Sequence, residues 1–306
     1  MTASGGRPRT VWRSVDGLVL LDKPLGLTSN RALQLVRRLY RAEKAGHTGS
    51  LDPLATGVLP LCFGEATKVA GYLLDADKRY VATLALGART DTGDREGSIV
   101  ETAPVPAFDS SRLLATLERF VGLTSQIPPM YSALKRDGEA LYTIARRGEV
   151  VERAPRPVRI SALTVVEYTA DTVVFDVRCS KGTYVRTLGE DIATAMGTVG
   201  HLSALRRTDV GGVFADYPVH TLESLESLAG DEAALDRLLL APDRALASWP
   251  QVQLDDAVAS RFGHGQSVDV VAADGLHTVY THGGRFMGLG DVLNGVLVPK
   301  RLFNGM

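Results

Sequence analysis

The sequence predicts a globular protein that mixes helices with strands and ends in a small all-β module. Three observations support this fold class. Of the 306 residues, 45% are hydrophobic and 23% are charged, which is typical of globular chains and atypical of disordered or fibrous ones. Helical and strand-like periodicities alternate up to about residue 242, and only strand-like runs follow. A chain of this length accommodates two domains, which we place at 16–242 and 243–306.

The N-terminal region begins with a polar segment, residues 1–15, that we interpret as a flexible arm. The run GLVLLD at 17–22 predicts a short buried strand. From 28 to 40 the apolar residues recur on one helical face, so an amphipathic helix is expected there. Thr28 or Ser29 is suited to cap that helix.

The segment 46–64, GHTGSLDPLATGVLPLCFG, is interrupted by glycine and proline but is too apolar for a solvent-exposed loop. We interpret it as a structured loop that lines a site. A helix over 66–74, a strand over 80–86 and an amphipathic helix over 110–121 are predicted after it.

Residues 126–159 form a basic insertion that we expect to be partly mobile. Seven Lys or Arg residues oppose four acidic residues there, and a short helix is predicted over 140–147. The alternation over 172–179 predicts a strand, and a helix through Tyr184 and Ile192 follows it.

The C-terminal region starts with an acidic helix over 231–240, after which the boundary between the domains is expected at 242–250. Four short strands are predicted beyond that boundary, and together they form the all-β module. Their ranges are 268–272, 277–281, 285–289 and 292–298.

The overall net charge of −1 conceals an asymmetry along the chain. Residues 1–50 have nine Lys or Arg and three acidic residues, a net charge of +6. Residues 216–275 have three Lys or Arg and eleven acidic residues, a net charge of −8. Such asymmetry indicates that one part of the chain meets a polyanion, although a solvated basic face explains it about as well.

Several classes of protein are excluded by what the sequence lacks. Cys62 and Cys179 are too few for a disulfide framework, and two buried thiols in a cytoplasmic protein are expected. No apolar run approaches the roughly 18 residues of a membrane span, and no secretory signal is recognised. Phosphate-loop, Rossmann, HExxH and CxxC motifs are absent, so neither a metal nor a nucleotide cofactor is expected.

Asp52 is the clearest candidate for a residue that takes part in a chemical reaction. It lies in a stretch with almost no other acid, and Pro53 restricts its backbone to extended conformations, which holds the carboxylate at a defined angle. Gly46, Gly49 and Gly57 permit the close approach of a backbone or a ligand. Two interpretations remain open from spacing alone, namely a helix cap and a fixed catalytic carboxylate.

A second cluster of polar residues follows the strand predicted over 172–179. Ser180 is suited to cap the next helix, and the N-terminus of that helix is a site for an anion. Arg186 can pair with a carboxylate through two hydrogen bonds, or it can be a surface residue without a partner. The adjacent Arg206 and Arg207 are interpreted as a solvated face.

Three segments of the sequence are specific when they are taken together and in order. They are LDKP at 21–24 followed by TS at 28–29, GHTGSLDPLATG at 46–57 and CSKGTYVRT at 179–187. With these segments the chain closely resembles the TruB family of bacterial tRNA pseudouridine synthases, from about residue 16 to residue 211. Further matching segments are 64–68, 78–80, 89–94, 129–135 and 205–208.

The resemblance implies an α+β fold, the pseudouridine synthase fold, with a mixed and largely antiparallel central sheet, flanking helices and a PUA-like C-terminal module. It implies an isomerase that converts uridine 55 in the T-loop of tRNA to pseudouridine. That reaction breaks the N1–C1′ bond and forms a C5–C1′ bond without a cofactor. The T-loop and T-stem of tRNA are then the partner, and neither a membrane nor an obligate protein partner is implied.

The resemblance also assigns roles to individual residues. Asp52 matches the catalytic aspartate, Arg186 matches its partner, and Tyr184 is expected to assist removal of the C5 proton. Around the substrate, Tyr80 is expected to stack on uracil, His47 to contact the opened T-loop, and Leu205 to form an apolar wall. Lys68 and Asp94 are expected to support the site, and Lys23 to support the fold around the pocket.

The basic insertion resembles an RNA clamp, in which Lys135, Arg146 and Arg147 are expected to contact RNA. The short C-terminal module follows an acidic segment and is expected to add little affinity. Three alternatives remain. The chain could be a guide-RNA-dependent enzyme of the same fold, a tRNA-binding folding helper with incidental catalysis, or an α+β domain with another substrate.

Overall fold

The computed structural model describes residues 11–303, whose strands and helices form a large mixed sheet with flanking helices and a smaller C-terminal sheet. The strands are β1 (Gly17–Lys23), β2 (Ala45–His47), β3 (Ala55–Phe63), β4 (Lys78–Leu86), β5 (Ala88–Thr90), β6 (Ile99–Thr102), β7 (Gly122–Gln126), β8 (Lys135–Arg136), β9 (Glu139–Ala140), β10 (Arg156–Tyr168), β11 (Thr172–Cys179), β12 (Gly200–Val210), β13 (His220–Thr221), β14 (Gln251–Leu254), β15 (Val268–Asp269), β16 (Gly275–Thr281), β17 (Phe286–Leu293) and β18 (Val296–Leu302). The helices are α1 (Ser29–Tyr40), α2 (Ala70–Asp75), α3 (Ser110–Glu118), α4 (Leu141–Arg146), α5 (Val185–Ala195), α6 (Leu222–Glu226), α7 (Glu232–Asp236) and α8 (Asp256–Gly263), with 3-10 turns at Gly64–Lys68 and Pro242–Leu246.

The central sheet has nine strands in the order β13-β1-β3-β12-β4-β11-β10-β7, with β2 added beside β3. The pairs β1–β13 and β3–β12 are parallel, and the other pairs of this sheet are antiparallel. The expected mixed and largely antiparallel sheet is therefore confirmed.

The central strand β1 is buried on both faces, which explains its uninterrupted apolar sequence. Val19 and Leu21 belong to the core cluster that also contains the apolar faces of α1, α3 and α5. Leu18 and Leu20 point to the opposite face and join a second cluster with residues of the C-terminal module. Each such side chain contributes about 1.5–3 kcal/mol on burial, so β1 stabilises both layers at once.

Elements with a clear local periodicity lie where the sequence predicts them. α1 begins at Ser29, and the Thr28 hydroxyl accepts a hydrogen bond from the backbone N–H of Arg31 at 3.2 Å, which confirms the expected cap. β11 has the predicted bounds of 172–179.

Other expectations are corrected by the structure. The segment 46–64 is not one loop, because its second half is β3, a nine-residue strand in the middle of the sheet. β10 and β12 were not expected as strands. The single helix expected over 66–74 is divided into the 3-10 turn Gly64–Lys68 and α2.

Both sequence-based proposals for helix caps near the site are also wrong. No helix follows Asp52, whose backbone carbonyl instead accepts from the N–H of Ala55 at 3.0 Å. Ser180 does not cap α5, because Tyr184 is at the N-cap position and the Ser180 hydroxyl accepts from the N–H of Arg159 at 2.9 Å. The helix-cap interpretation of Asp52 is thereby excluded, and its carboxylate is free for another role.

The segment interpreted as an N-terminal arm is packed against the domain in the part that the structure describes. Residues 1–10 of that segment lie outside the described range. Arg13 binds both carboxylate oxygens of Asp236, at 2.8 and 2.6 Å, and its backbone N–H donates to the carbonyl of Arg41. Val15 is buried. The folded part of the chain therefore begins earlier than residue 16.

The C-terminal module has five strands in the order β14-β16-β17-β18-β15. It is not purely β as expected, because α8 packs on its sheet through Phe262. The last hairpin turns at Asn294 and Gly295, both with positive φ, so β17 runs further than the strand predicted over 285–289. Phe286 and Phe303 pack with Leu18 in the cluster that joins this module to the central sheet.

Gly57 is required by the close approach of two strands. Its φ is +101°, and a Cβ atom built there would lie 2.1 Å from the carbonyl oxygen of Arg207 on β12. We expect Gly57→Ala to lower the free energy of unfolding by about 3 kcal/mol or more, because the backbone of β3 or β12 must move.

Urea denaturation followed by circular dichroism measures this effect. Gly46→Ala is the matched control in the neighbouring strand, since it has no heavy atom within 4 Å of the new Cβ. The control is expected to change the free energy of unfolding by no more than about 0.5 kcal/mol. Equal stability of the two variants would contradict the packing described for Gly57.

Within residues 11–303, no helix combines the length and the apolar character that crossing a membrane requires.

Candidate active site

A pocket of about 180 Å³ opens beside the middle of the central sheet. The loop after β2, the strands β4 and β12, the segment after β7 and the first turn of α5 form its walls. Its lining includes Asp52, Tyr80, Ser132, Tyr184, Arg186 and Leu205. The structure therefore brings together five residues that the sequence analysis singled out, from segments far apart in the chain.

The loop that carries Asp52 is held in place by hydrogen bonds to its backbone. The buried hydroxyl of Ser29, at the start of α1, accepts from the N–H of Leu51 at 2.7 Å and donates to its carbonyl at 3.1 Å. The N–H of Gly26 donates to the carbonyl of Pro53 at 2.8 Å. These contacts fix the residues on both sides of Asp52, so its carboxylate points into the pocket in one orientation.

Arg186 lies in the first turn of α5, and only 5% of its side chain is exposed. Its Nη2 lies 3.0 Å from Oδ2 of Asp52, and its Nη1 lies 3.5 Å from Oδ2 of Asp94. Nη1 also donates to the carbonyl of Thr92, and Nη2 to that of Tyr131, each at 2.7 Å. The guanidinium is thus fixed by groups behind it and presents one edge to Asp52.

Asp94 is buried and has its own set of partners. One of its carboxylate oxygens accepts from the hydroxyl of Thr92 at 2.7 Å and from the N–H of Glu96 at 3.0 Å. Its other oxygen faces Arg186. The predicted supporting position of Asp94 agrees with this contact, and the carboxylate that remains open to the pocket is that of Asp52.

The environment of Asp52 combines partial burial with a neighbouring cation. Its side chain is 44% exposed, so a substrate can reach the carboxylate. Burial raises the pKa of Asp52, and the Arg186 guanidinium opposes that change. The ion pair therefore favours the carboxylate form in a setting that would otherwise disfavour it.

Two aromatic side chains and one leucine surround the carboxylate. Tyr80 projects from β4 and Leu205 from β12, on the same face of the sheet, because Arg207 and Tyr80 are register partners and Leu205 precedes Arg207 by two residues. Tyr184 precedes α5. Burial raises the pKa of both Tyr80 and Tyr184, so their hydroxyl groups are protonated in the free protein near neutral pH.

His47 lies at the end of β2, before the Asp52 loop, and is not among the residues that line the pocket. Its Nδ1 accepts a hydrogen bond from the N–H of Gly49 at 3.4 Å. Burial lowers the pKa of His47, and the nearby Arg207 lowers it further. The imidazole is therefore neutral near pH 7 and is placed at the edge of the loop.

Lys23 is 0% exposed and does not reach the pocket. Its Nζ donates to the carbonyl oxygens of Pro24 at 2.9 Å and Leu27 at 2.6 Å, and lies 3.5 Å from that of Pro53. Burial lowers the pKa of Lys23 to about 8, and the charge of Asp52 opposes this. Its position beneath the Asp52 loop agrees with the expected supporting role.

Lys68 is not near the pocket, contrary to the expectation for a site residue. Its Nζ binds Oε2 of Glu65 at 2.5 Å and the carbonyl of Leu302 at 2.7 Å, and it lies 5.2 Å from the centre of the Phe303 ring. Lys68 therefore joins the central domain to the last strand of the C-terminal module. The motif that contains it suggested proximity to the site, but the 3-10 turn directs the side chain elsewhere.

Arg207 is the largest departure from the sequence-based interpretation. It was expected on a solvated face, but it is 1% exposed. Its neighbour Arg206 is on the outer face of β12 and binds both carboxylate oxygens of Asp22, at 2.9 and 2.7 Å. Strand alternation separates these two arginines, and the strand itself was not predicted.

The basic insertion contains a short hairpin, β8–β9, followed by α4. Lys135 is exposed on β8, and the guanidinium of Arg146 lies 5.5 Å from the centre of the Tyr142 ring. Arg147 is ion-paired with Glu139 and with Glu149. Two of the three expected RNA-contacting residues are thus unpaired with described acids, whereas the charge of Arg147 is largely compensated.

Some residues that shape the site were not singled out from the sequence. Ser132 and Thr183 line the pocket and lie in the matching segments 129–135 and 179–187, but neither was assigned a role. The carbonyls of Thr92 and Tyr131 hold Arg186 through backbone atoms, which any residue provides. Among residues 11–303, the structure has no group of three or more His, Cys, Asp or Glu side chains arranged to ligate a metal ion.

Comparisons with known proteins decide the family. Residues 37–185 match the N-terminal domain of the TruB family pseudouridylate synthases, 186–247 match the tRNA pseudouridylate synthase B C-terminal domain, and 250–303 match the C-terminal domain of pseudouridine synthase II TruB. The tRNA pseudouridine synthase B of Burkholderia mallei (strain ATCC 23344) is 50% identical over 310 residues, covering 99% of this chain and 98% of that protein. The chain belongs to the TruB family.

A second TruB-family relative supports the same assignment. The tRNA pseudouridine synthase B of Pseudomonas putida (strain GB-1) is 51% identical over 299 residues, covering 96% of this chain and 97% of that protein. The family is thus shared over both domains, including the pocket and the C-terminal module.

Solved structures show that the TruB-family chain has the pseudouridine synthase fold. An H/ACA ribonucleoprotein bound to a substrate RNA containing 2′-deoxyuridine contains a chain with a TM-score of 0.73 and 22% identity, covering 94% of this chain and 85% of that one. A Cbf5–Nop10–Gar1 complex gives a TM-score of 0.72 and 24% identity, covering 97% and 91%. At this identity the likeness concerns the fold alone.

Proposed function

We propose that this chain is a tRNA pseudouridine synthase that isomerises uridine 55 of the T-loop, with Asp52 as its catalytic residue. The observation that carries the proposal is the ion pair of Asp52 with the buried Arg186 at the wall of an aromatic pocket. Membership of a pseudouridylate synthase family over nearly the whole chain, and relatives named tRNA pseudouridine synthase B, support it.

The chemistry requires one carboxylate and no net redox change. The N1–C1′ bond breaks, the base turns within the pocket, and C5 bonds to C1′ before the C5 proton leaves. Asp52 acts either as a nucleophile at C1′ or as a base at C2′, and both roles require its ionised form. Arg186 favours that form and fixes its direction.

The pocket is suited to a base that has left the RNA stack. A uracil ring extruded from the T-loop meets the ring of Tyr80 and the apolar side chain of Leu205, while Asp52 approaches the ribose. Tyr184 is on the same wall as Arg186, and we assign its hydroxyl to assist removal of the C5 proton by releasing its own proton to water as it accepts the one from C5. His47, at the edge of the loop, is assigned to contact with the opened T-loop.

The basic insertion is assigned to binding of the RNA backbone. Of its three predicted RNA contacts, Lys135 and Arg146 are the two without an acidic partner among the described residues, and phosphate groups are the matching ligands. We place the C-terminal module outside the main RNA contact, because the segment that leads to it is acidic.

From the proposed tRNA substrate we also infer that the protein acts in the cytoplasm.

Substitution of Lys135 and Arg146 is expected to weaken RNA binding in a salt-dependent manner. Lys135→Ala with Arg146→Ala should reduce the slope of log Kd against log salt concentration by about 1 to 2, because up to two phosphate contacts are lost. Filter binding of a T-arm hairpin between low and moderate salt measures the slope. Arg147→Ala is the matched comparison, and its effect should be smaller because Glu139 and Glu149 already compensate its charge. An unchanged slope in the double variant would remove the clamp from the proposal.

The proposed reaction and its position are tested with a full-length tRNA transcript. Pseudouridine is mapped at nucleotide resolution after incubation with the protein, beside a transcript that has cytidine at position 55. Modification at position 55 in the first transcript and none in the second supports the proposal. Modification at another uridine, or none, would contradict the assigned substrate position.

A role limited to RNA folding is not favoured. Such a role needs no carboxylate in the pocket, whereas Asp52 is fixed on both sides and is paired with a buried cation. A guide-dependent reaction has no support beyond the shared fold.

A further inference from the structure

Arg207 presents an unusual arrangement, a fully buried guanidinium without a carboxylate partner. Its side chain is 1% exposed, and no carboxylate of residues 11–303 lies within ion-pairing distance of it. A buried charge is costly unless its environment compensates it, and arginine cannot lose its proton in proteins. A neutral side chain of similar length would fill the same space at lower cost, so packing alone does not account for the charge.

The partners of Arg207 belong to three different elements around the pocket. Nε donates to the carbonyl of Val58 on β3 at 2.7 Å. Nη2 donates to the carbonyl of Gly49 at 3.2 Å, in the loop that leads to Asp52. The register partner of Arg207 on β4 is Tyr80, whose side chain lies on the same face of the sheet.

The contact with Gly49 connects Arg207 to the catalytic carboxylate. Gly49 has a φ of +126°, and a Cβ atom built there would lie 3.7 Å from Nη1 of Arg207. Ser29 fixes the other part of the same loop at Leu51. The loop is therefore held between Ser29 and Arg207, just before Asp52.

The pairing of β12 with β4 places the same side chain beside Tyr80, whose ring is expected to stack on the base. Leu205 precedes Arg207 by two residues on β12 and lines the pocket on the same face. One rigid group thus sets the position of the aromatic ring relative to the loop of the carboxylate. Neither contact brings Arg207 itself into the lining of the pocket.

We propose that Arg207 is a positioning residue of the isomerisation, which holds Tyr80 and the Asp52 loop in a fixed relation without touching the RNA. This inference rests on the proposed function of the pocket. A buried positioning residue affects the geometry of the reacting groups but not the surface that binds RNA. Its loss should therefore slow the chemical step and leave RNA affinity unchanged.

The charge of Arg207 also acts on its neighbours, in keeping with this position. It opposes the effect of burial on the pKa of Tyr80 and lowers the pKa of His47. A second buried cation, Lys78, lies nearby, and its Nζ donates to the carbonyls of Leu73, Leu74 and Ala76. Backbone carbonyl oxygens accept hydrogen bonds from both cations. The positive charge behind Tyr80 is therefore stabilised by the backbone of the fold itself.

The test is the single-turnover rate of tritium release from C5-labelled T-loop RNA, measured with saturating enzyme, together with Kd for the same RNA. Arg207→Lys keeps the charge but cannot donate to the carbonyls of Val58 and Gly49 at once. We expect its rate to fall by about 100-fold, since small displacements of reacting groups have effects of that size, with Kd within about twofold. Arg206→Lys is the matched control on the outer face of the same strand, and its rate should equal that of wild type.

A double-variant cycle identifies the route of the effect. If Arg207 acts through the neighbouring Tyr80, Arg207→Lys combined with Tyr80→Phe should lose no more rate than the larger of the two single losses. Multiplicative losses would contradict that route. Normal rates for both Arg207→Lys and Arg207→Gln would overturn the proposal.

Thermal stability and wild-type activity distinguish a positioning role from a purely structural one. If both Arg207 variants melt at much lower temperature and no longer bind RNA, the residue is only structural and the proposal is overturned. If wild type releases no tritium, the proposed function itself fails, because the variants are then compared with an inactive protein. A loss of rate at unchanged affinity, with active wild type, is the result that the proposal requires.

Discussion

Asp52→Asn is expected to abolish pseudouridine formation while leaving the affinity for T-loop RNA within about twofold of wild type. Asparagine has the size and shape of aspartate, so the pocket and the Asp52 loop should be preserved. It cannot act as a nucleophile at C1′ or as a base at C2′, whichever of the two the reaction uses. We expect the single-turnover rate to fall by at least about 10⁴-fold.

The neighbouring carboxylate of Asp94 is not placed to replace the one that is lost. Asp94 is buried, and Arg186, Thr92 and the backbone of Glu96 occupy its oxygens. Product analysis at saturating enzyme measures the rate, and filter binding measures the affinity. Asp171→Asn, in the turn between β10 and β11, is the control for loss of a carboxylate elsewhere and should retain the wild-type rate. Turnover by Asp52→Asn within about tenfold of wild type would mean that another group performs the chemistry.

Arg186→Gln is expected to shift the acid limb of the pH–rate profile to higher pH. In wild type, burial raises the pKa of Asp52, so the limb should lie above the ordinary value of about 4 for an aspartate. The Arg186 charge opposes that rise, because a nearby cation favours the carboxylate. Its removal therefore raises the pKa further, and the active ionised form is lost at a higher pH as the solution is acidified.

The expected size of this shift is about one pH unit or more, and the rate on the plateau should fall by about 100-fold because the carboxylate is less well directed. Single-turnover rates from acid to neutral pH determine both quantities. Arg89→Gln, which removes an exposed arginine paired with Glu101, is the matched control and should leave the limb in place. An Arg186→Gln profile with an unmoved limb would show that Arg186 does not act on the ionisation of Asp52.

The helices and strands with a clear local periodicity could be predicted from the sequence. α1 has a single apolar face and a capping threonine, and β11 alternates over its whole length. β3 was not recognised because it is buried on both faces and contains Gly57 and Pro60, which locally resemble a loop. Its role as a strand is set by its neighbours β1 and β12, which are distant in sequence.

The residues of the candidate site could be predicted mainly from the motifs that contain them. Asp52 and Arg186 were selected from segments with distinctive spacing, and the structure places them 3.0 Å apart. Lys68 shows the limit of this approach, since its motif suggested the site but its side chain contacts Leu302. A motif fixes the path of the backbone more strongly than the direction of each side chain.

Arg207 could not be located from the sequence for a different reason. Adjacent arginines are normally solvated, and the acceptors of Arg207 include two backbone carbonyls, at Gly49 and Val58, which leave no signature in residue type. Only the three-dimensional arrangement of β3, β4 and β12 reveals that this charge is buried behind the pocket.

The assignment of the chemistry to Asp52 is tested most directly by tritium release from C5 of uridine 55 in a T-loop transcript, with wild type and Asp52→Asn side by side. The label leaves only when C5 is substituted, so the measurement follows the reaction and not binding. We predict complete release by wild type and none by Asp52→Asn at equal RNA occupancy. Equal release by the two proteins would contradict the role of Asp52, and tight binding without release by either would contradict the reaction itself.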